Sequence, residues 1–343
     1  MGRKAQGIKV SFIILNFNGV DLTCNCLKSI YQQNYKNYEI ILIDNGSTDN
    51  SAKIIERKYP DVKIIKNRTN LGFAEGNNIG YKYSRGDLVL FLNNDTLVDK
   101  NFLTELINKL FSDPKIGAVQ PKIMCFPRKV FIDSIGSYFL PTGFLYHLGH
   151  NKKDQDKYNK ESEIFSMKGA CMLFKKDVLE KVGLFDKRYF AYFEETDLCQ
   201  RVWLAGYKIF YVPRSTIYHF GGETSKKLNN SYVQYNSYKN RIYTYCKNFE
   251  PATLTRILPV HILLCQLSSV SYFLTMKLSL AISIQRAIIW NIFNIDKILK
   301  ERRGIQKIRS VEDKSYLPNV TRTVDWNYYY HLFATSLSGY KDK

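Results

Sequence analysis

The chain has 343 residues, of which 45% are hydrophobic and 14% aromatic, and this composition excludes an intrinsically disordered protein. The formal charge of +19 predicts an anionic partner, such as nucleic acid, a phospholipid surface or a phosphorylated substrate. The seven cysteines include no CxxC pair, which argues against a zinc site and a disulfide framework and favours free thiols in a reducing compartment. The apolar run from Ile8 to Leu15 is short and continues into polar residues, which predicts a first strand and not a signal peptide.

Segments of strand type and helix type alternate along the first half of the chain. Apolar, β-rich runs predict strands over residues 10–15, 38–43, 62–65 and 86–92. Helices are predicted at about 21–31, at about 50–58, and after the glycine-rich segment 70–78. This alternation predicts an α/β fold, with a mostly parallel central sheet flanked by helices.

Polar clusters follow three of these predicted strands, and we expect them to share one rim of the sheet. The clusters are Asn16 with Asn18, Asp44 with Asn45, and Asn93 with Asn94 and Asp95. Asp95 supplies a hard, anionic oxygen suited to Mg2+ or Mn2+ carrying a diphosphate, although Asn-Asn-Asp-Thr is also good β-turn chemistry. Neither a GxGxxG nor a GxxxxGK[ST] motif occurs, which excludes a dinucleotide fingerprint and a P-loop.

Four segments, in this order and spacing, resemble successive motifs of the family 2 glycosyltransferases with the GT-A fold, and more narrowly of their rhamnosyltransferase-like branch. They are VSFIILNFNG (10–19), DNGSTD (44–49), NLGFA (70–74) and LNNDT (92–96). The resemblance implies that Asp44 contacts the nucleoside of a sugar nucleotide and that Asp95 binds the divalent cation. It also implies that the remaining donor contacts come from Asn16, Asn18, Asn45, Asn70, Gly72, Phe73, Asn93 and Asn94.

The cation site departs from the family pattern at one position. Asn93 stands where the first aspartate of a full DxD motif would be, so the cation lacks one carboxylate and needs a further ligand. A histidine that follows an apolar run, as His219 does, is usually structural. In the resembling enzymes, however, the histidine of this H-x-G-type element binds the same metal, so we expect His219 to be that ligand. The loop from Gly221 to Ser225 would then close over the diphosphate.

The segment that begins at Glu194 predicts an amphipathic helix ending near Gly206. Acidic residues at a helix start also suit the helix dipole, which is a purely structural explanation. The resembling family places its general base in an acidic dipeptide here, which implies Glu195 as the base and Glu194 as the competing assignment. Asp197 and Arg201 have the i,i+4 spacing of a bracing ion pair.

Between these motifs the sequence is less regular. Residues 113–165 show no clear pattern, and within them residues 133–136 and the aromatic, glycine-rich run to His150 predict hairpins and loops near the acceptor side of the site. Residues 167–174 predict a strand that carries Gly169. Three residues are candidates for contacting the acceptor or supporting the site: Gly169, Glu194 and Asp197. Residues 176–182 predict a short helix with Gly183 as its C-cap.

The region from Lys226 to Arg309 carries fourteen Lys and Arg against three acids, a net charge of +11. Its basic and aromatic composition is compatible with nucleic acid. Residues 257–276, however, have no formal charge if His261 is neutral, which favours a bilayer contact and no nucleic-acid partner. We predict an interfacial helical pair in preference to a transmembrane span, with anionic headgroups meeting its basic residues. These are Lys277, Arg286, Lys297, Lys300, Arg302 and Arg303.

The resemblance, which covers about residues 8 to 310, implies a catalytic domain over 1–225, a membrane-associating helical region over 226–310 and an unassigned tail over 311–343. It implies inverting transfer of a sugar, with rhamnose favoured over a hexose or galactofuranose, from a dTDP- or UDP-sugar to a lipid-linked or polysaccharide acceptor. The expected location is the cytoplasmic face of the cell membrane, as a peripheral or monotopic protein. Two alternatives are a nucleotidyltransferase on a similar sheet and a non-catalytic scaffold at the membrane surface.

Overall fold

The structure is a computed structural model that describes residues 7–221, 230–333 and 339–342. Its strands are β1 (Val10–Asn16), β2 (Tyr38–Asp44), β3 (Lys63–Lys66), β4 (Leu88–Asn93), β5 (Thr96–Val98), β6 (Ile116–Cys125), β7 (Ile132–Ser134), β8 (Tyr138–Phe139), β9 (Leu145–Tyr146), β10 (Ser162–Glu163), β11 (Cys171–Lys175) and β12 (Lys208–His219). Its α-helices are α1 (Val20–Tyr31), α2 (Ser51–Lys58), α3 (Gly72–Lys82), α4 (Phe102–Leu110), α5 (Lys176–Val182), α6 (Glu194–Leu204), α7 (Asn230–Asn248), α8 (Pro251–Leu274), α9 (Leu278–Phe293), α10 (Ile295–Ile308), α11 (Asp313–Val320) and α12 (Trp326–Phe333).

One large sheet runs through the molecule in the order β10-β12-β6-β11-β4-β1-β2-β3. Strands β3, β2, β1 and β4 are parallel, and β12 is parallel to β6. Strand β11 is antiparallel to both of its neighbours, β4 and β6. Successive residues of β1 point into cores on opposite faces of the sheet, Phe12 into one and Ile13 into the other. The predicted α/β fold with a mostly parallel sheet is therefore confirmed.

Residues 116–125, which lie in the less regular region of the sequence and for which no element is predicted, form the long strand β6. Polar residues interrupt its apolar pattern, yet they are buried with partners. Gln120 accepts a hydrogen bond from the backbone of Lys168 at 2.6 Å, and Lys122 pairs with Asp154 at 2.7 Å. A period-2 pattern could not reveal this strand, because its polar side chains are satisfied by contacts that are distant in sequence.

The helix predicted after the glycine-rich segment 70–78 begins within that segment, since α3 starts at Gly72. Its glycines allow the helix to approach the sheet closely. A Cβ atom at Gly80 would lie 2.3 Å from Cγ2 of Ile13 in β1, and one at Gly76 would lie 2.9 Å from Cδ2 of Leu15. Close helix–sheet packing, and not a flexible turn, therefore accounts for these glycines.

The C-terminal helices have one face against the rest of the protein and one exposed apolar face. In α8, Ile257, His261 and Cys265 are buried, and α8 and α9 form a helical hairpin joined at 275–277. We use the name apolar surface for the exposed residues of this hairpin. They are Val260, Leu263, Leu267, Val270, Phe273, Leu274, Met276, Leu278, Ile282, Ile289, Ile292 and Phe293. By length and composition, α8 alone could cross a membrane, and α9 and α10, bent by 69° at their junction, could do so only as one broken span.

Candidate active site

An open cavity of about 820 Å3 lies where strands β1, β2 and β4 end, at the rim predicted from the sequence. The predicted residues that line it are Asn18, Asn45, Asn70, Gly72, Phe73, Asn93, Asn94, Asp95, Gly169, Glu194, Glu195 and His219. Asn16, Asp44 and Asp197 are buried and are not part of the lining. The structure thus brings residues from both halves of the chain together around one space.

Asn16 is fully buried and organises the carboxyl ends of β1 and β2. Its amide donates to Oδ1 of Asp44 at 3.0 Å and to Oγ of Ser51 at 2.7 Å, and its carbonyl oxygen accepts from Oγ1 of Thr23 at 2.8 Å. These internal contacts satisfy the side chain and fix the orientation of the Asp44 carboxylate. A contact between Asn16 and the donor stays a prediction.

Asn45 shapes the segment that leads into α3. Its Nδ2 donates to Oδ1 of Asn70 at 3.0 Å and to the carbonyl of Gly72 at 3.1 Å, while its Oδ1 accepts from the amide of Leu71 at 3.2 Å. Gly72 has φ of 78°, and a Cβ atom there would lie 2.4 Å from the carbonyl oxygen of Phe190. Glycine is therefore required here both by its backbone conformation and by the closeness of the opposite cavity wall.

The asparagines beside the first and fourth strands are also held by their neighbours. Asn18 has φ of 50°, and its Oδ1 accepts a hydrogen bond from the amide of Thr48 at 2.7 Å. Asn94 donates to Oγ1 of Thr23 at 2.9 Å. The same threonine donates to Asn16, so one hydroxyl links the ends of β1 and β4 beside the cavity.

Asp95 and His219 meet at the cavity although they lie far apart in sequence. Strand β12 pairs with β5 so that His219 is opposite Thr96, and the amide of Phe220 donates to the carbonyl of Asp95 at 2.9 Å. Nε2 of His219 then lies 3.3 Å from Oδ1 of Asp95. Both side chains are nearly buried. The predicted loop from Gly221 to Ser225 lies outside the described residues after Gly221.

Two cavity residues that sequence reasoning did not assign hold His219 from its other side. Nδ1 of His219 lies 2.7 Å from Oδ2 of Asp133, and Oδ1 of Asp133 accepts from Nζ of Lys168 at 2.6 Å. Burial alone would raise the pKa of Asp133, but Lys168 and His219 hold it well below its usual range. Burial lowers the pKa of His219, yet its contacts with Asp133 and Asp95 raise it overall. A metal-binding histidine usually donates its second ring N–H to a carboxylate, a backbone carbonyl or water, so the sequence signals that an acceptor is present but not which group it is.

The Asp95–His219 pair fits a divalent cation. Nε2 of His219 is buried and faces Oδ1 of Asp95 at 3.3 Å, so a nitrogen and a carboxylate oxygen point into the same space beside the cavity. A carboxylate and an imidazole together suit Mn2+ and are acceptable to Mg2+. Across residues 7–221, 230–333 and 339–342, no group of three or more His, Cys, Asp or Glu could hold a metal ion. The remaining ligands of a divalent cation bound by Asp95 and His219 would therefore come from a diphosphate and water.

Glu194 and Glu195 begin helix α6 and face the same cavity. Burial raises the pKa of Glu195 to about 7, although backbone hydrogen bonds and Lys168 act in the opposite direction. Burial and the neighbouring charge of Glu195 raise the pKa of Glu194 well above its usual range. One oxygen of Glu194 is buried and has no hydrogen-bond partner among the described residues, which suits a protonated carboxyl. Both pKa values are therefore raised, and because the two acids are adjacent, the ionisation of one affects that of the other.

The predicted ion pair between Asp197 and Arg201 is confirmed, at 3.0 Å between Oδ2 and Nη2. Asp197 is fully buried and also accepts from Nζ of Lys247 and Nδ2 of Asn248, both in α7. Its position therefore makes it a support for α6. The predicted boundary at residue 225 between the catalytic and helical regions stays a prediction.

Comparisons with known proteins agree with this architecture. The curated poly-beta-1,6-N-acetyl-D-glucosamine synthase of Staphylococcus epidermidis is 27% identical over 266 residues, which cover 77% of this chain. The chain spans 62% of that relative's length. The solved structure of GalNAc-T7 with UDP, GalNAc and Mn2+ has a TM-score of 0.56 and 18% identity, and covers 69% of this chain and 47% of that one.

The mannosyltransferase PcManGT from Pyrobaculum calidifontis, in complex with GDP-Man and Mn2+, has a TM-score of 0.53 and 17% identity. The matched region covers 91% of this chain and 85% of the mannosyltransferase chain. These similarities confirm the predicted GT-A fold. The sequence model of the family described as Glycosyl transferase family 2 matches residues 11–183, half of the chain. The predicted enzyme class, glycosyltransferase, is thereby confirmed at the level of the family, and the chain belongs to glycosyl transferase family 2.

Proposed function

We propose that the protein is an inverting, metal-dependent glycosyltransferase that moves a sugar from a nucleoside diphosphate to a hydroxyl of a lipid-linked or polysaccharide acceptor. The observation that carries the proposal is the convergence of Asp95, His219 and Glu195 on one cavity. Reactions of this type need a group that stabilises the diphosphate and a base for the acceptor hydroxyl, and the chemistry of these three residues suits the two tasks.

Each residue has a chemical task in this proposal. Glu195 takes the proton of the acceptor hydroxyl as the hydroxyl oxygen attacks the anomeric carbon and the bond from that carbon to the diphosphate breaks. Its pKa of about 7 suits a base that must be ionised, yet accept a proton, near neutral pH. A divalent cation bound by Asp95 and His219 would neutralise the charge of the diphosphate leaving group. Asn18, Asn45 and the segment from Asn70 to Phe73 would hold the nucleoside and the donor sugar.

The relatives change which donor should be tested first. The curated relative is named for N-acetyl-D-glucosamine, and GalNAc-T7 was solved with UDP and GalNAc. These names support a UDP-linked N-acetylhexosamine in this cavity. The rhamnose favoured from the sequence finds no support among these relatives, and a dTDP-sugar stays an untested prediction.

The apolar surface supports attachment to a membrane by helices that lie parallel to the plane of the membrane. Ile257, His261 and Cys265 pack against the protein along the other face of α8, and His261 contacts the carbonyl of Thr142 at 3.1 Å. A vertical α8 would therefore pull the catalytic domain into the hydrocarbon. Instead, the hairpin would rest in the interface, with Lys277 and Arg286 near anionic headgroups. The cytoplasmic face of the membrane, expected from the family resemblance, is the proposed location.

A donor panel tests the proposal. The full chain would be incubated with UDP-GlcNAc, UDP-GalNAc, dTDP-rhamnose and GDP-mannose plus Mn2+, and the products identified by mass spectrometry. Release of a nucleoside diphosphate supports a glycosyltransferase, release of pyrophosphate indicates the nucleotidyltransferase alternative, and no binding or turnover with any donor supports the scaffold.

A substitution then tests the base. Glu195→Gln should bind the donor normally and lose turnover by roughly 100-fold or more, as removal of a general base does. Glu105→Gln is the matched control, because Glu105 lies in the first turn of α4 and does not line the cavity. Turnover of Glu195→Gln near the wild-type rate would remove Glu195 from this role.

A further inference from the structure

Two consecutive residues with an unusual backbone precede helix α6. Tyr192 has φ of 73° and Phe193 has φ of 74°, and neither is glycine. Side chains with a Cβ atom rarely adopt this left-handed conformation, and two such residues in succession are rarer still. Strain of this kind persists only where the surrounding structure enforces it.

The strained segment leads directly into helix α6, which carries the candidate base. Phe193 is the N-cap residue of α6, and its carbonyl accepts a hydrogen bond from the amide of Asp197 at 3.0 Å. Glu195 lies in this first turn and lines the same cavity as Tyr192. The backbone conformation at Tyr192 and Phe193 therefore determines where the Glu195 carboxylate lies.

Asn240 of helix α7 holds this segment from behind. Its Nδ2 donates to the carbonyl of Ala191 at 3.1 Å and to that of Tyr192 at 2.6 Å, and the side chain is 1% exposed. The next residue, Arg241, places its guanidinium 5.1 Å from the ring centre of Phe193. Both strained residues are thus fixed by α7, which lies outside the part of the chain matched by the family model.

We propose that Asn240 is a positioning residue for the candidate base, because its two hydrogen bonds keep Tyr192 and Phe193 in the conformation that orients Glu195. Asn240 does not line the cavity and acts only through the backbone. The inference rests on the proposed function for its effect on turnover, but its structural part can be measured without any activity.

The test replaces Asn240 by Leu, which keeps the volume and removes the donor, and by Ser, which is smaller and cannot reach both carbonyls. Asn236→Leu is the matched control. Asn236 is a buried asparagine one turn earlier in α7, and its Nδ2 donates to Tyr232 of the same helix. Hydrogen exchange of the peptide 189–197 in the full chain, and kcat, KM and the pH profile of kcat, would be compared.

We expect both Asn240 variants to speed exchange of peptide 189–197 and to lower kcat by roughly 10- to 100-fold, as a misplaced catalytic group does, with donor KM within about twofold. The midpoint of the acid limb should rise, because Glu195 loses hydrogen bonds that favour its charged form. Glu194, Lys168 and Cys199 are the other titratable groups that face Glu195. They are unchanged in these variants.

Unchanged exchange in both variants would overturn the inference, and this result does not depend on the reaction. Faster exchange with wild-type kcat would also overturn it, because the conformation would then not matter for the base. Equal losses in Asn236→Leu would show general destabilisation and likewise count against it. If the wild-type protein transfers no sugar, the proposed function fails, and exchange alone still decides whether Asn240 holds the segment.

Discussion

Replacing Asp133 by Asn tests whether the far side of His219 prepares its Nε2 atom for a cation. The introduced amide would keep the size of the side chain and could still accept from Nδ1, but the variant would lose the negative charge now 2.7 Å from the ring. Substitutions of such outer partners reduce metal affinity by roughly 10- to 100-fold. Because the carboxylate is nearly buried and anchored by Lys168 at 2.6 Å, we expect the upper part of this range, equivalent to about 2–3 kcal/mol.

The measurement is titration of the full chain with Mn2+ in the presence of UDP, with free Mn2+ detected by electron paramagnetic resonance. Asp154→Asn is the matched control. It removes a carboxylate from a lysine pair of nearly the same length, 2.7 Å to Lys122, in a position that does not line the cavity. Both variants should lose similar stability, on the order of 1–3 kcal/mol, and only Asp133→Asn should lose Mn2+ affinity.

Unchanged Mn2+ affinity in Asp133→Asn would refute the reasoning about this carboxylate. His219→Ala and Asp95→Asn separate this outcome from a larger error. If these two variants also bind Mn2+ with wild-type affinity, the cation does not bind between Asp95 and His219.

Three further predictions concern the base, the packing and the apolar surface. Turnover should rise with pH through about 7 and then level, because Glu195 must be ionised to accept a proton and its pKa is about 7; a kcat profile that is flat from pH 5.5 to 8.5 would contradict this. Gly80→Ala should destabilise the protein by about 1–3 kcal/mol in urea unfolding, since its Cβ would meet Ile13 at 2.3 Å. Gly304→Ala, in helix α10 with nothing within 4 Å, should be neutral or stabilising by up to about 1 kcal/mol. Phe293→Glu, at a side chain 84% exposed, should weaken sedimentation with anionic vesicles without changing turnover of a soluble acceptor; unaltered sedimentation would argue against this surface.

The features that the sequence could predict are those that depend on residues close together in the sequence. Buried parallel strands have continuous apolar runs, and their ends are marked by polar residues, so the rim carrying Asp95 followed from local patterns. The pairing of Asp95 with His219 was expected from a family resemblance. The structure explains it by the register of β12 against β5. No local pattern specifies that register, because it depends on strands joined by more than a hundred residues.

The features that the sequence could not predict depend on contacts between distant segments. Asp133 lies in the three-residue strand β7, and only the pairing of β7 with β6 brings it towards His219. Tyr192 and Phe193 have no propensity for their left-handed backbone, so the strain is imposed by α7 and is invisible in the sequence of the turn itself. The close packing of α3 on β1 at Gly76 and Gly80 is a contact of this kind, and the glycines alone do not specify it.

The departure of this chain from a full DxD motif has a physical counterpart in the structure. Asn93 removes one carboxylate from the strand end, and a second carboxylate, Asp133, appears on the far nitrogen of His219. In this position its charge would reach a bound cation through the imidazole ring, and Lys168 balances part of it. The imidazole would become a stronger donor, while the number of negative charges facing a diphosphate would stay low. Because a diphosphate would bring its own negative charge to the cation, a site with one direct carboxylate and one polarised histidine would reduce repulsion of the donor.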